Sequence, residues 1–322
     1  MNALYARLCR FDSDAWKRAV DTLSGENHVI DRDATRIWFS FYPLALHLAL
    51  EGADDQLALA RKLGLMGRWR LADQIGESHR FLFAHRYWPQ VKSAVQNASD
   101  PLPEELAPLV SALAEAAART ARVDREFLLG MSAVALMTLR QVGPEAFAAA
   151  PATIHLSERV RALSPYQVLR ARARDDWQGL FGFTRGLKKQ WTVTFDEGEP
   201  ASTFSVIEGQ EIASAAQGDK RDYRTRDPRC TPGEGPIPVE CRAASCGTCW
   251  IGVLGGAGKL SPVVERDERR RMKAFGYLDS SEEHPLLRLA CQARAHGAVS
   301  IVIPPWNGVM GNTLNPNVPR RA

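Results

Sequence analysis

The sequence predicts an α+β protein: an all-helical N-terminal part followed by a strand-rich C-terminal part. Two observations carry this. Apolar residues before Gly186 recur at helical spacing, whereas after it they alternate at strand spacing. The six cysteines of the 322-residue chain are also unevenly spread, three of them within the nine residues from Cys241 to Cys249.

The helical signals come first along the chain. Trp16, Ala19, Val20 and Leu23 stand at i, i+3, i+4 and i+7, as do Leu106, Leu109, Val110 and Leu113. Each set is the apolar stripe of an amphipathic helix. Further helices are expected at 34–50, 55–63, 68–98 and 125–141, with Pro89 kinking or dividing the third of these. Ser164 opens a late helix: Pro165 suits its first position and Gln167 completes a capping box. His79 and His85 fall six apart on one expected helix, which puts them on different faces.

After Gly186, Trp191, Val193 and Phe195 alternate with polar residues, then Phe204 and Val206 do the same. Asp196-Glu197-Gly198 between them reads as a hairpin turn. A short helix at 211–216, a strand through Cys249, Ile251 and Val253, a helix at 265–275 and a strand through Val299, Ile301 and Ile303 follow. The expected organisation is therefore 1–186 helical, 187–305 a second domain and 306–322 an extended tail. The segment holding Trp177, Phe181 and Phe183 is too apolar for a free tether, so it is expected to pack one domain on the other.

Composition narrows the class. The formal net charge is +4, spread over both halves, and no Arg/Lys stripe interleaves with aromatics, so nucleic acid is not an expected partner. No run of about 18 apolar residues is present, which argues against a membrane span. The N-terminus lacks the apolar core of a signal peptide, so the expected location is the cytoplasm. There is no dinucleotide or phosphate-binding glycine motif, no nucleophile elbow, no C-x-x-C-H and no Glu-x-x-His in the helical part.

The string Cys241-Arg-Ala-Ala-Ser-Cys246-Gly-Thr-Cys249 is C-x4-C-x2-C, with Cys291 beyond it. That is the spacing of a [2Fe-2S] site. The rival is structural zinc, but four-thiolate zinc sites pair two C-x2-C knuckles, and the second is missing. Gly247 permits close backbone approach. Ala243, Ala244, Ser245 and Thr248 are small enough to leave N–H groups free for the sulfurs. Cys230 reads as an ordinary loop cysteine and Cys9 as a buried helical one.

Residues 188–305 resemble the plant-type [2Fe-2S] ferredoxin family. The resemblance rests on the opening hairpin, the Glu208-Gly209-Gln210 turn into a short helix, the cysteine loop and Arg288-Leu-Ala-Cys291-Gln. It implies a β-grasp fold and a [2Fe-2S] cofactor on Cys241, Cys246, Cys249 and Cys291. By the same resemblance, Cys241 and Cys246 would hold the more exposed iron, and Cys249 and Cys291 the inner one. The chain departs from the family in a longer gap between Cys249 and Cys291 and in an Arg/Pro-rich insertion at 220–239. Arg224, Arg226, Arg229 and the run Arg269-Arg270-Arg271 make these regions basic where the family is acidic.

The function expected is one-electron transfer, with no catalytic residues of its own. Partners would be a reductase and an electron acceptor, with the helical part a docking or oligomerisation module. The alternatives are a redox subunit of a multicomponent enzyme and a cluster-dependent sensor or scaffold.

Overall fold

The computed structural model describes residues 1–175, 189–263, 268–276 and 284–311. The expected domain junction near residue 186, with Trp177, Phe181 and Phe183, lies outside them. The chain forms two compact units, Met1–Ala49 with Arg70–Pro165, and Leu50–Trp69 with Tyr166–Ala322.

The first unit contains helices α1 (Asn2–Leu8), α2 (Ser13–Ser24) and α3 (Val29–Phe41), the start of α4 (Leu44–Glu51), and, after a stretch that belongs to the second unit, α6 to α9. Of the latter, α6 is Trp88–Gln96, α7 Leu106–Ala121, α8 Leu129–Ala149 and α9 Glu158–Ala162. The stripe on α7 is buried throughout, at Leu106, Leu109, Val110 and Leu113, and that on α2 at Trp16, Ala19 and Leu23, with Val20 half-buried. Helix α8 is the centre. Every residue from 129 to 140 is buried, and α1, α2, α3, α6 and α7 pack around it. A helix apolar on all sides is stable only when surrounded in this way. It breaks at Gly143, whose φ of 81° lies outside the helical region.

Three helical expectations need correction. The segment 34–50 is two helices, α3 and α4, because Pro43 between them has no N–H to continue the ladder. The segment 125–141 opens as a 3-10 turn, Arg125–Phe127, before α8. The segment 68–98 is not one helix but 3-10 turns at Leu71–Gln74 and Phe83–Tyr87 followed by α6. Here the Asp31 carboxylate, fully buried, accepts from the Phe83 and Ala84 amides at 2.6 and 2.7 Å, which removes the donors a continuous helix would use. Pro89 stands in the first turn of α6 and starts that helix rather than kinking it.

The second unit contains α5 (Gln56–Lys62), β1 (Met66–Gly67), α10 (Pro165–Ala171), β2 (Gln190–Thr194), β3 (Thr203–Ile207) and α11 (Ile212–Ala216). It continues with β4 (Trp250–Gly255), α12 (Arg270–Phe275), β5 (Leu287–Leu289), β6 (Val299–Val302) and β7 (Trp306–Asn307). Helix α10 begins at Pro165, as the sequence indicates. The main sheet has the order β3-β2-β6-β4-β5. The expected hairpin is β2–β3, antiparallel with Val193 opposite Phe204, and β2 runs parallel to β6. Of the helix expected at 265–275, α12 is the part among the described residues, with 264–267 outside them. The stretch expected as tail supplies β7, which pairs with β1; 312–322 lie outside the described residues. No helix among the described residues is long and apolar enough to cross a membrane.

Candidate metal centre

The cysteine loop runs between α11 and β4 and has no regular structure. Its backbone is unusual: Arg242, Ala244 and Gly247 have φ of 53°, 57° and 72°. For Arg242 and Ala244 the left-handed region costs roughly 1–2 kcal/mol each. Alternating handedness turns successive N–H groups to one side and makes a concavity for negative charge. Here the N–H groups of Ala243, Ser245 and Cys246 all donate to Cys241 Sγ, at 3.4, 3.3 and 3.3 Å. Of the small residues expected to do this, Ala243 and Ser245 donate to Cys241, and the Ala244 amide to Cys291. Gly247 is needed for two reasons: its positive φ, and the Phe275 ring of α12, which occupies the space a Cβ would take.

The other three cysteines sit around this loop. Cys246 Sγ lies 3.1 Å from the Thr248 hydroxyl, which also accepts from the Glu240 amide at 3.2 Å. Cys249 directly precedes β4, and Cys291 follows the end of β5 by two residues. Antiparallel pairing of β4 with β5, Trp250 opposite Leu289, brings the two cysteines together. The Ala290 amide donates to the Cys249 carbonyl at 2.9 Å, and Gln292 Nε2 lies 3.6 Å from Cys291 Sγ. Cys249 and Cys291 are 1% and 2% exposed, whereas Cys241 and Cys246 are half-buried.

The thiols are tuned in opposite senses. Burial raises the Cys241 thiol, but hydrogen bonds from Ser245, Cys246 and Ala243 outweigh it and bring the pKa down to about 6. A hydrogen bond from Cys249 lowers Cys291 to about 7, against burial and with help from Gln292 and the Ala244 amide. The same bond, with burial, pushes Cys249 well up. Cys241 and Cys291 are thus favoured as thiolates, the form that ligates metal. Among the described residues, no three His, Cys, Asp or Glu side chains converge on a single-ion site.

Residues 232–296 match the model of the 2Fe-2S iron-sulfur cluster binding domain, Fer2. The cofactor is a [2Fe-2S] cluster. The C-terminal part of the chain is accordingly a ferredoxin-type domain, and all four cysteines of the motif lie inside the matched segment. A search of curated proteins found no match, and a search of solved structures found none.

The remaining residues singled out in the sequence fall as follows. Cys230 is a buried loop thiol 3.3 Å from the Pro236 carbonyl, and burial with Asp227 pushes its pKa up to about 12, which leaves it unreactive. Cys9 is exposed at the C-terminal end of α1, not buried as expected, because it is the residue at which that helix ends. The insertion is less basic than its arginines suggest. Arg221, Arg224 and Arg229 each bind the aspartate two residues before them, Asp219, Asp222 and Asp227, at 2.6 Å, and Arg226 binds Asp196 at 2.7 Å. The repeated Asp-x-Arg in 219–229 was the signal for this neutralisation. Arg270 on α12 is exposed, whereas Arg271 and the preceding Arg269 are half-buried.

Sequence spacing separates His79 from His85, yet their Nδ1 atoms lie 2.9 Å apart and both rings are buried. The absence of a continuous helix between them is the reason. Burial and His85 lower His79 well below the ordinary range, and burial and Arg80 lower His85 to about 4. The pair is neutral, one ring donating to the other.

Proposed function

We propose that the protein is a one-electron carrier whose cluster is held by Cys241, Cys246, Cys249 and Cys291, in a domain of the plant-type ferredoxin kind with a β-grasp fold. The observation that carries this reading is the convergence of three loop amides on Cys241 beside the β4–β5 pairing that joins Cys249 to Cys291. The parallel β2–β6 pair within an otherwise antiparallel sheet, with α11 against β3, supports the β-grasp assignment.

When bound, the cluster supplies reversible one-electron oxidation and reduction. The chain's own residues do the rest. The loop amides stabilise negative charge on the Cys241 side, and sulfur hydrogen bonds of this kind tune the potential. The near-complete burial of Cys249 and Cys291 excludes water from one side of the site. The half-buried Cys241 and Cys246 are the side at which a partner would exchange electrons, and would belong to the outer iron. A reductase and an electron acceptor are the proposed partners, with the helical unit as the docking or oligomerisation module. The cytoplasm, which keeps thiols reduced, suits such a protein.

The test is spectroscopic. Anaerobically purified protein should contain about two irons per chain, bleach in the visible on dithionite reduction and give a rhombic S = 1/2 resonance. A colourless, zinc-containing protein would sink the proposal.

A further inference from the structure

Between Cys249 and Cys291 the chain leaves the sheet after β4 and returns as β5, the edge strand. From this added length comes Glu268, 0% exposed, and from β5 comes Arg288, 1% exposed. They form a two-pronged ion pair: Arg288 Nε donates to Glu268 Oε1 at 2.9 Å and Nη2 to Oε2 at 3.0 Å. The third Arg288 nitrogen donates to the Ser261 carbonyl at 2.8 Å. Glu268 Oε1 also accepts from the Leu289 amide at 2.7 Å.

Leu289 is the hub of the turn that carries the fourth cysteine. Its carbonyl accepts from the Gln292 and Ala293 amides at 2.8 and 2.9 Å, which closes the chain around Cys291. Its side of the strand away from β4 is an open sheet edge, and the Glu268 carboxylate is what satisfies the amide there. The same segment reaches the cysteine loop a second time, where the α12 residue Phe275 fills the space beside Gly247. A buried carboxylate facing a guanidinium and an amide is stable only with all its partners in place.

We propose that Glu268 is a positioning residue for the cluster. It holds Arg288 and the Leu289 amide, so fixing the turn that presents Cys291, and it neutralises a buried cation three residues from that ligand. The proposal rests on the ligand reading above. It predicts that loss of the charge leaves Arg288 uncompensated, which favours the reduced cluster, and loosens the Cys291 turn.

The test uses the full chain with its cluster, as wild type, Glu268→Gln and Glu268→Asp. At a fixed solution potential, Glu268→Gln should raise the reduced-to-oxidised ratio about tenfold, a shift of about +59 mV for one electron. It should lose iron to a chelator about tenfold faster. In iron-free protein, Cys291 should be alkylated about tenfold faster with Cys230 unchanged. Glu268→Asp keeps the charge at shorter reach, so it should hold the wild-type potential while losing iron faster. Wild-type potential and cluster lifetime in Glu268→Gln would overturn the proposal. So would faster loss at an unmoved potential, matched by Phe204→Leu on the opposite edge strand, since that is plain destabilisation. Should Glu268→Gln not fold, wild-type cluster lifetime and alkylation rate in Glu268→Asp would overturn it. If the wild-type chain takes up no cluster, the ligand reading fails and the alkylation rates alone decide the role of Glu268.

Discussion

The helical unit and the sheet unit both bury polar and charged groups, but they use them differently. In the helical unit the buried charges Asp31 and Lys92 serve backbone left over from helix ends and turns. Asp31 takes two amides, and Lys92 donates to the carbonyls of Ala148, in the last turn of α8, and Ala150, its C-cap. His79 and His85 share one hydrogen bond between their Nδ1 atoms. In the cysteine loop the direction is reversed: three backbone amides converge on one side-chain sulfur. Backbone in left-handed conformations, held against its preference, provides that convergence. Polar groups that saturate the main chain are architecture, whereas main chain arranged around an ionisable atom is a site.

The largest expected effect breaks the comparison at its strongest point. Cys246→Ser should abolish the cluster, taking the iron content from about two per chain to near zero, because a hydroxyl is a poor, hard ligand for this iron. Melting of the helical unit followed by circular dichroism should be unmoved. The mirror change is Asp31→Ala, which strands two buried amides. It should destabilise the helical unit by roughly 2–6 kcal/mol in denaturant titrations and leave the visible spectrum of the cluster intact.

Acid sharpens the same contrast. Both histidines have folded-state pKa values below their unfolded ones, so the unfolded chain takes up protons first. Their contribution is complete above about pH 6.5 and is lost as pH falls toward about 4, the value for His85. For His85 alone the loss amounts to about 3 kcal/mol, and His85→Gln should flatten the pH dependence of stability in that window. Next in size is Gly247→Ala, which forces a side chain into the left-handed region at roughly 1–2 kcal/mol and against Phe275. Cluster retention should drop, and adding Phe275→Ala should recover part of it. The smallest effect is Cys230→Ser: the spectrum should be unchanged and stability should fall by about 1 kcal/mol or less. Bleaching of the spectrum by this change would mean that Cys230 is a ligand.

Much of the second unit was legible because its signals are local. The β2–β3 hairpin follows from period-two alternation and a turn rich in Asp and Gly. The cysteine string names its chemistry by spacing alone. The amphipathic stripes of α2 and α7 were equally readable, since a helix repeats its face every few residues. The errors lie where distant residues intervene. Nothing between 68 and 98 announces that Asp31, some fifty residues earlier, will claim the Phe83 and Ala84 amides and so fold His79 onto His85. Cys9 shows a smaller case, a helix ending one residue before an apparently buried position.

The sequence by itself determined the α+β class, the order of most elements and the four candidate ligands, because these depend on spacing within a few turns of chain. Only the tertiary structure decided the partners of the buried charges: Glu268 with Arg288, Asp31 with two amides, and one histidine with the other. It also decided that the arginines of the insertion are largely neutralised. Burial makes a charge acceptable only where a partner of opposite character comes within hydrogen-bonding reach, and that reach is set by packing between segments far apart in the chain.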